Sequence, residues 1–141
     1  MLRLICVLVL AGAGIGCAEP YYGTNGGGSE LSYTDKLRDP RELAKLSLRC
    51  SGVLGRAAER SYAGGGSADV VMAAANGRDL LGGTGRSIGK DAGLSAHQMD
   101  VEVAEGRYHL DTRPTYDATK RTIKACLDLA VIVADVVNGR K

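Results

Sequence analysis

The sequence predicts an all-α protein, a small four-helix up-and-down domain closed by one disulfide and preceded by a signal peptide and a flexible tether. Two observations favour this fold class. Apolar residues recur at intervals of three and four over two long segments, and each segment carries a cysteine within its apolar stripe. The 141 residues contain no Phe and no Trp. A covalent link would therefore compensate for a core that lacks large aromatic rings.

Residues 1–18 have the three parts of a secretory signal peptide. Arg3 gives a basic start, residues 4–16 are uncharged and apolar, and small residues follow up to Ala18. The apolar stretch is shorter than the ~20 residues that a membrane-spanning helix needs. We therefore expect export. Residues 19–35, rich in glycine and polar side chains, are expected to form a flexible linker before a helical domain over 36–141.

The end of this signal permits two ways of maturation. Gly14-Ile15-Gly16-Cys17 resembles the lipobox of bacterial lipoproteins, with Gly14 where leucine is usual. The resemblance implies that Cys17 is lipidated and becomes the first residue of a membrane-anchored protein. Cleavage after Ala18 is the alternative and would release a soluble periplasmic or secreted protein. A signal that stays attached as an anchor is a third hypothesis.

The first and last helices follow the same apolar spacing of three and four. The first, over 39–62, places on one face Leu43, Leu46, Cys50, Val53 and Ala57. The last helix places on one face Ile123, Cys126, Ala130, Val133 and Val137. Asp39 and Pro40 are typical of a helix start, and Gly139 is typical of a helix end. Each segment is therefore predicted to be an amphipathic helix with one face toward the core.

Cys50 and Cys126 are the two cysteines expected to remain as thiols after maturation, because Cys6 leaves with the signal and Cys17 is lipidated or removed. In an exported protein, two cysteines on the apolar faces of helices are expected to oxidise to each other. The sequence therefore predicts a disulfide between the first and the last helix.

The middle of the chain is open to two interpretations. Residues 67–81 suit a helix capped by Ser67, and the glycines over 82–89 suit a loop. Ser95 and Gln98 form a capping box, flanked by the hydrophobic staple of Leu94 with Met99, so residues 95–110 are predicted to be a helix. The alternative is a hairpin over 99–110, which would make the fold α+β.

Residues 97–111 contain the densest group of potential ligands: His97, Asp100, Glu102, Glu105, His109 and Asp111. On one helix the two histidines would lie about 120° apart around the axis and could not share a site. We expect solvated pairs, His97 with Asp100 and Glu105 with His109. His97 and His109 are weak candidates for metal ligands, and only a hairpin would bring them closer.

No segment indicates catalysis or a cofactor, so we expect a protein that is not an enzyme. The glycines over 82–87 lack the preceding strand and the lysine of a phosphate-binding loop. A formal net charge of +2 gives no reason to expect nucleic acid as a partner. The remaining surface candidates are a basic patch and the linker tyrosines, namely Arg113, Lys120, Arg121 and Lys124, with Tyr21, Tyr22 and Tyr33.

The functional expectation is an exported, non-catalytic interaction module, periplasmic or lipid-anchored, whose protein partner the sequence does not identify. A periplasmic protein that binds a small ligand or a metal is the alternative, and it would require His97 and His109 to converge with a carboxylate.

Overall fold

The computed structural model describes residues 38–113 and 115–139. These residues form four helices: α1 (Pro40–Ala63), α2 (Ala68–Asp91), α3 (Ala96–Asp111) and α4 (Tyr116–Val137). The predicted all-α, four-helix class is confirmed. The alternative hairpin over 99–110 is wrong, since those residues belong to α3. The signal peptide, the linker and Cys17 lie outside the described residues.

Side chains near the helix starts explain where three of the helices begin. The Asp39 carboxylate accepts a 2.8 Å hydrogen bond from the Arg41 backbone N–H, and the Thr115 hydroxyl accepts one of 3.1 Å from that of Ala118. The predicted capping box is present in α3, where Ser95 and Gln98 satisfy each other's backbone N–H groups. These bonds satisfy donors that have no partner within the helix.

α1 is the central helix, and α2, α3 and α4 all pack against it. Its N-terminal part lies beside the C-terminal part of α2, as the proximity of Ala44 to Gly85 shows, so α1 and α2 are antiparallel. Arg49 meets Glu105 and Arg56 meets Asp111, so α3 runs in the same direction as α1. The expectation of one buried face on α1 is wrong, because this helix is buried on several sides.

The glycines over 82–89 lie within α2, so the predicted loop is wrong. A Cβ added at Gly85 would lie 2.9 Å from the Leu48 Cγ, and one at Gly89 would lie 3.0 Å from the Met99 sulfur. Each glycine lowers the helix propensity by about 1 kcal/mol relative to alanine. The close approach of α2 to its neighbours, which a larger side chain would prevent, accounts for glycine at these two positions.

α1 and α3 touch through their backbones. Gly52 of α1 faces the Val103 carbonyl, and Gly106 of α3 faces the Arg49 carbonyl, each so closely that a Cβ would collide with the oxygen. Unlike a flexible side chain, a backbone carbonyl cannot turn away. Glycine at both positions therefore sets the distance between these two helices.

The core is built from small and aliphatic side chains. One cluster consists of Leu46, Cys50, Val53, Leu54, Ala57, Leu81, Leu110, Cys126 and Ala130. A second cluster consists of Ala44, Leu48, Leu94 and Met99, and it includes both residues of the predicted staple. The described part of the chain buries no aromatic side chain. The core depends on close helix approach in place of large rings.

The predicted disulfide is confirmed. Cys50 and Cys126 are bonded within the larger cluster, with their Cα atoms 5.2 Å apart and a sequence separation of 76. The bond joins α1 to α4, whose buried residues are Thr122, Cys126 and Ala130. Partly buried apolar side chains of α4 also pack against this cluster, so the disulfide adds a covalent link to an apolar contact.

Candidate functional site

A group of ion pairs joins the C-terminal ends of α1 and α3. The Asp111 carboxylate accepts hydrogen bonds from Arg56 Nε at 2.9 Å and from Arg60 Nη2 at 2.5 Å. Arg107 donates two bonds of 2.8 Å to the Glu59 carboxylate in a bidentate arrangement. Arg56 also contacts Glu59 at 3.2 Å. We call these five residues the arginine clamp.

The clamp stabilises the ionised form of both carboxylates. Hydrogen bonds from Arg56, followed by the positive charges of Arg56 and Arg60, lower the pKa of Asp111 below its ordinary value. The bidentate bond from Arg107 lowers the pKa of Glu59 in the same way. Both groups are solvent-exposed, so the stabilisation is modest and sensitive to salt.

The other carboxylates of α3 pair with arginines from two different helices. Arg49 of α1 binds Glu102 at 2.5 Å and Glu105 at 2.9 Å. Arg86 of α2 binds Asp100 at 2.7 Å. The expected pairs of Glu105 with His109 and of Asp100 with His97 are replaced by these contacts between helices. The acidic group of α3 therefore serves mainly to join the helices.

The two histidines lie on α3, twelve positions and about 18 Å apart along the helix axis. His97 is exposed, whereas His109 is partly buried, with its Nδ1 3.4 Å from Arg113 Nη2. Burial, followed by the charges of Arg113 and Arg49, lowers the pKa of His109 below its ordinary value. Over the described residues, no three His, Cys, Asp or Glu side chains are grouped so that they could hold a metal ion.

The predicted basic patch is only partly available for binding. Lys124 forms an intrahelical pair of 2.7 Å with Asp128. Lys120 and Arg121, by contrast, are exposed on α4 and make no ion pair with any carboxylate of the described residues. Two cations near the start of α4 are therefore available to an outside anion.

The tyrosines of the described residues are all strongly exposed: Tyr62 at 79%, Tyr108 at 70% and Tyr116 at 79%. Tyr62 is the penultimate residue of α1, Tyr108 lies one turn before the end of α3, and Tyr116 is the first residue of α4. The bond between Arg60 and Asp111 joins the first two helix ends. The three exposed tyrosines therefore lie near the same end of the bundle.

The sequence analysis did not single out these exposed tyrosines, although the signal was present. The candidate contact residues Tyr21, Tyr22 and Tyr33 lie outside the described residues. Tyr62 and Tyr108 fall off the apolar stripes of their helices, so helical periodicity already places them away from the core. That both lie near the same end of the bundle follows from the parallel packing of α1 and α3, which the periodicity of one helix does not reveal.

No protein-family model, no curated protein and no solved structure matches the chain. None of the four helices in the described ranges combines the length and the apolar character needed to cross a bilayer.

Proposed function

We propose that this protein is an exported, non-catalytic interaction module, held to a bacterial membrane through a lipid on Cys17 or released into the periplasm. The observation that carries the proposal is the buried disulfide between Cys50 and Cys126, which is compatible with an oxidising extracellular or periplasmic compartment. The signal pattern of residues 1–18 supports the same destination.

The surface chemistry supports a role in binding a protein. Most charged side chains of α3 engage arginines of neighbouring helices, and the tyrosines are exposed. Tyrosine is enriched at protein interfaces because its ring combines a large apolar area with a polar hydroxyl. An arrangement of this kind is better suited to holding a partner than to acid–base chemistry.

The predicted linker supports attachment through Cys17. Residues 18–35 are rich in glycine and polar residues, and a chain of this length has a root-mean-square reach of about 20–25 Å. A domain held by lipid needs such a spacer to act at a distance from the bilayer surface.

Metabolic labelling with radioactive palmitate tests this attachment. We expect label on the wild type and on Cys6→Ala, and no label on Cys17→Ala. Cys6→Ala is the matched control, since it removes the other cysteine of the signal region. N-terminal sequencing of the unlabelled variant should show removal of the signal.

Two results would decide against parts of the proposal. An unlabelled wild type that starts at Glu19 would leave an exported soluble protein and exclude the lipid. A chain that retains Met1 and stays in the cytosol would contradict export itself.

A further inference from the structure

We propose that Asn138 is a site of spontaneous deamidation, a modification that goes beyond the interaction role proposed above and does not depend on it. The tripeptide Asn-Gly-Arg occurs twice in the chain, at 76–78 and at 138–140. Asparagine before glycine is prone to this reaction, because glycine has no side chain to hinder attack by its backbone nitrogen. The two copies lie in different backbone environments, and the fold protects the first of them.

The reaction requires only water. The backbone nitrogen of Gly139 attacks the side-chain carbonyl carbon Cγ of Asn138, and the new C–N bond closes a succinimide ring. The bond between Cγ and Nδ2 breaks, and Nδ2 leaves as ammonia with the proton that the Gly139 nitrogen loses. Water then adds to either ring carbonyl and reopens the ring, which leaves aspartate or isoaspartate at position 138.

The first copy is protected by the interior of α2. The Asn76 side chain is exposed, but the Gly77 nitrogen lies within the helix, where its N–H bonds to the carbonyl four residues earlier. Gly77 is buried, and a Cβ added there would lie 2.7 Å from Leu54 Cδ1 and 3.5 Å from Ala130 Cβ. Ring closure would have to turn the peptide between Asn76 and Gly77 out of this packing. It therefore requires local unfolding of α2.

The second copy lies where α4 ends. Asn138 follows the last helical residue with a ψ of 2°, and Gly139 has a φ of +64°, in the left-handed region. The Gly139 N–H donates a hydrogen bond of 3.2 Å to the Val136 carbonyl. Val136 and Val137 are 50% and 63% exposed, so the last turn has little packing to lose. Helix ends of this kind open at a small cost in free energy, and each opening frees the Gly139 nitrogen for attack.

Deamidation changes the charge of this helix end. Neutral Asn138 is replaced by an acidic product beside the C-terminal, negative end of the α4 dipole, where a further negative charge is unfavourable. Isoaspartate also lengthens the backbone by one carbon atom and interrupts the helical geometry. We therefore expect a more acidic form of the protein to accumulate with time, and its last turn of α4 to open more readily.

Peptide mapping of the purified, disulfide-bonded protein tests the proposal. Folded protein and protein unfolded in guanidinium chloride are incubated in parallel at mildly alkaline pH, then reduced, alkylated and digested with trypsin. The tryptic peptides 61–78 and 125–140 both end in Asn-Gly-Arg, which makes them a matched pair for mass spectrometry. Digestion in water enriched in heavy oxygen marks any deamidation that occurs during the digestion itself.

We expect Asn138 to react about tenfold faster than Asn76, or more, in the folded protein, because only the end of α4 opens readily. In guanidinium chloride the two rates should agree within about twofold, since neither helix is then present. Gly139→Ala should slow the reaction at Asn138 about tenfold or more, because the new methyl group hinders attack by the nitrogen. The matched control Gly83→Ala, in open space on α2, should leave the Asn138 rate within about twofold of the wild type.

Three results would overturn the proposal. One is an Asn76 rate equal to or above that of Asn138 in the folded protein. Another is an unreactive Asn138 in the folded protein under conditions in which both sites react in guanidinium chloride, since the end of α4 would then be protected as well. The third is an Asn138 rate that Gly139→Ala does not change, which would exclude attack by the Gly139 nitrogen. Circular dichroism checks that both variants are folded.

Discussion

Glycine determines how closely the helices of this protein approach one another. Gly52 and Gly106 allow backbone contact between α1 and α3, and Gly85 admits Leu48 to the contact between α1 and α2. By contrast, a Cβ added at Gly83 would meet no other atom within 4 Å. A methyl group added at Gly52 or Gly106 would therefore collide with a neighbouring helix, whereas one added at Gly83 would point into open space.

We expect Gly52→Ala to lower the free energy of unfolding by about 1–3 kcal/mol or more, because the new methyl group meets the Val103 carbonyl. The matched change Gly83→Ala should raise it by up to about 1 kcal/mol through better helix propensity. Urea denaturation measures both changes. Equal effects of the two variants would contradict the proposed role of Gly52.

We expect His109 to make the free energy of unfolding dependent on pH. Its pKa is lower in the folded protein than in the unfolded chain, so the unfolded chain takes up the proton first. We therefore expect the urea midpoint to fall as the pH decreases below about 6.5, the ordinary histidine value. His109→Gln should reduce this decrease, whereas His97→Gln, at an exposed position, should leave it unchanged. A decrease of the same size in both variants would exclude His109 as its source.

At the scale of the element, helix ends were easier to predict than helix interiors. Asp39 with Pro40, and Ser95 with Gln98, marked the starts of α1 and α3 through local hydrogen-bonding chemistry. The interior of α2 was misjudged over 82–89, because glycine is a poor helix former in isolation. Packing of α2 against α1 overrides that preference, and this packing has no local sequence signal.

The candidate site could be predicted only in part, because contacts between helices have no local sequence signal. The acidic group of α3 was visible in the sequence, but its arginine partners are on α1 and α2. Pairing between helices depends on which helices are neighbours and on their relative direction. The apolar periodicity of one helix indicates neither its neighbours nor their direction.

The ion pairs of Asp111 should stabilise the contact between α1 and α3 in a salt-dependent manner. Asp111→Asn removes the charge that attracts Arg56 and Arg60. We expect a small decrease in the urea midpoint at low salt that becomes smaller in concentrated NaCl, because these exposed charges are screened. Asp79→Asn, which affects only the pair with neighbouring Arg78, is the control. A decrease that does not depend on salt would show that packing, rather than charge, is responsible.

We expect α4 to lose more protection than the other helices when the disulfide is removed, because the disulfide links α4 covalently to the central helix α1. Three residues of α4 are buried, whereas twelve residues of α1 are. In Cys50→Ala/Cys126→Ala we expect the amide hydrogens of α4 to exchange much faster, with smaller changes in α1 and α2. Hydrogen exchange followed by mass spectrometry resolves the four helices. Equal acceleration in all of them would indicate that the bundle unfolds as one unit.

For the whole molecule, the disulfide compensates for a core of small side chains. Closing a loop between positions separated by 76 residues stabilises the folded state by about 4 kcal/mol in the chain-entropy treatment. Small domains have a total stability of about 5–15 kcal/mol. The bond is thus expected to account for a substantial part of the free-energy difference between the folded and the unfolded chain.

The most direct test of this account is the oxidation state of Cys50 and Cys126 in cells that export the protein. Cells are quenched in acid, free thiols are alkylated under denaturing conditions, and the digested protein is analysed by mass spectrometry without reduction. We expect a linked peptide pair containing Cys50 and Cys126 in mature chains that begin at Cys17 or Glu19. Alkylation of both thiols in those mature chains would contradict it.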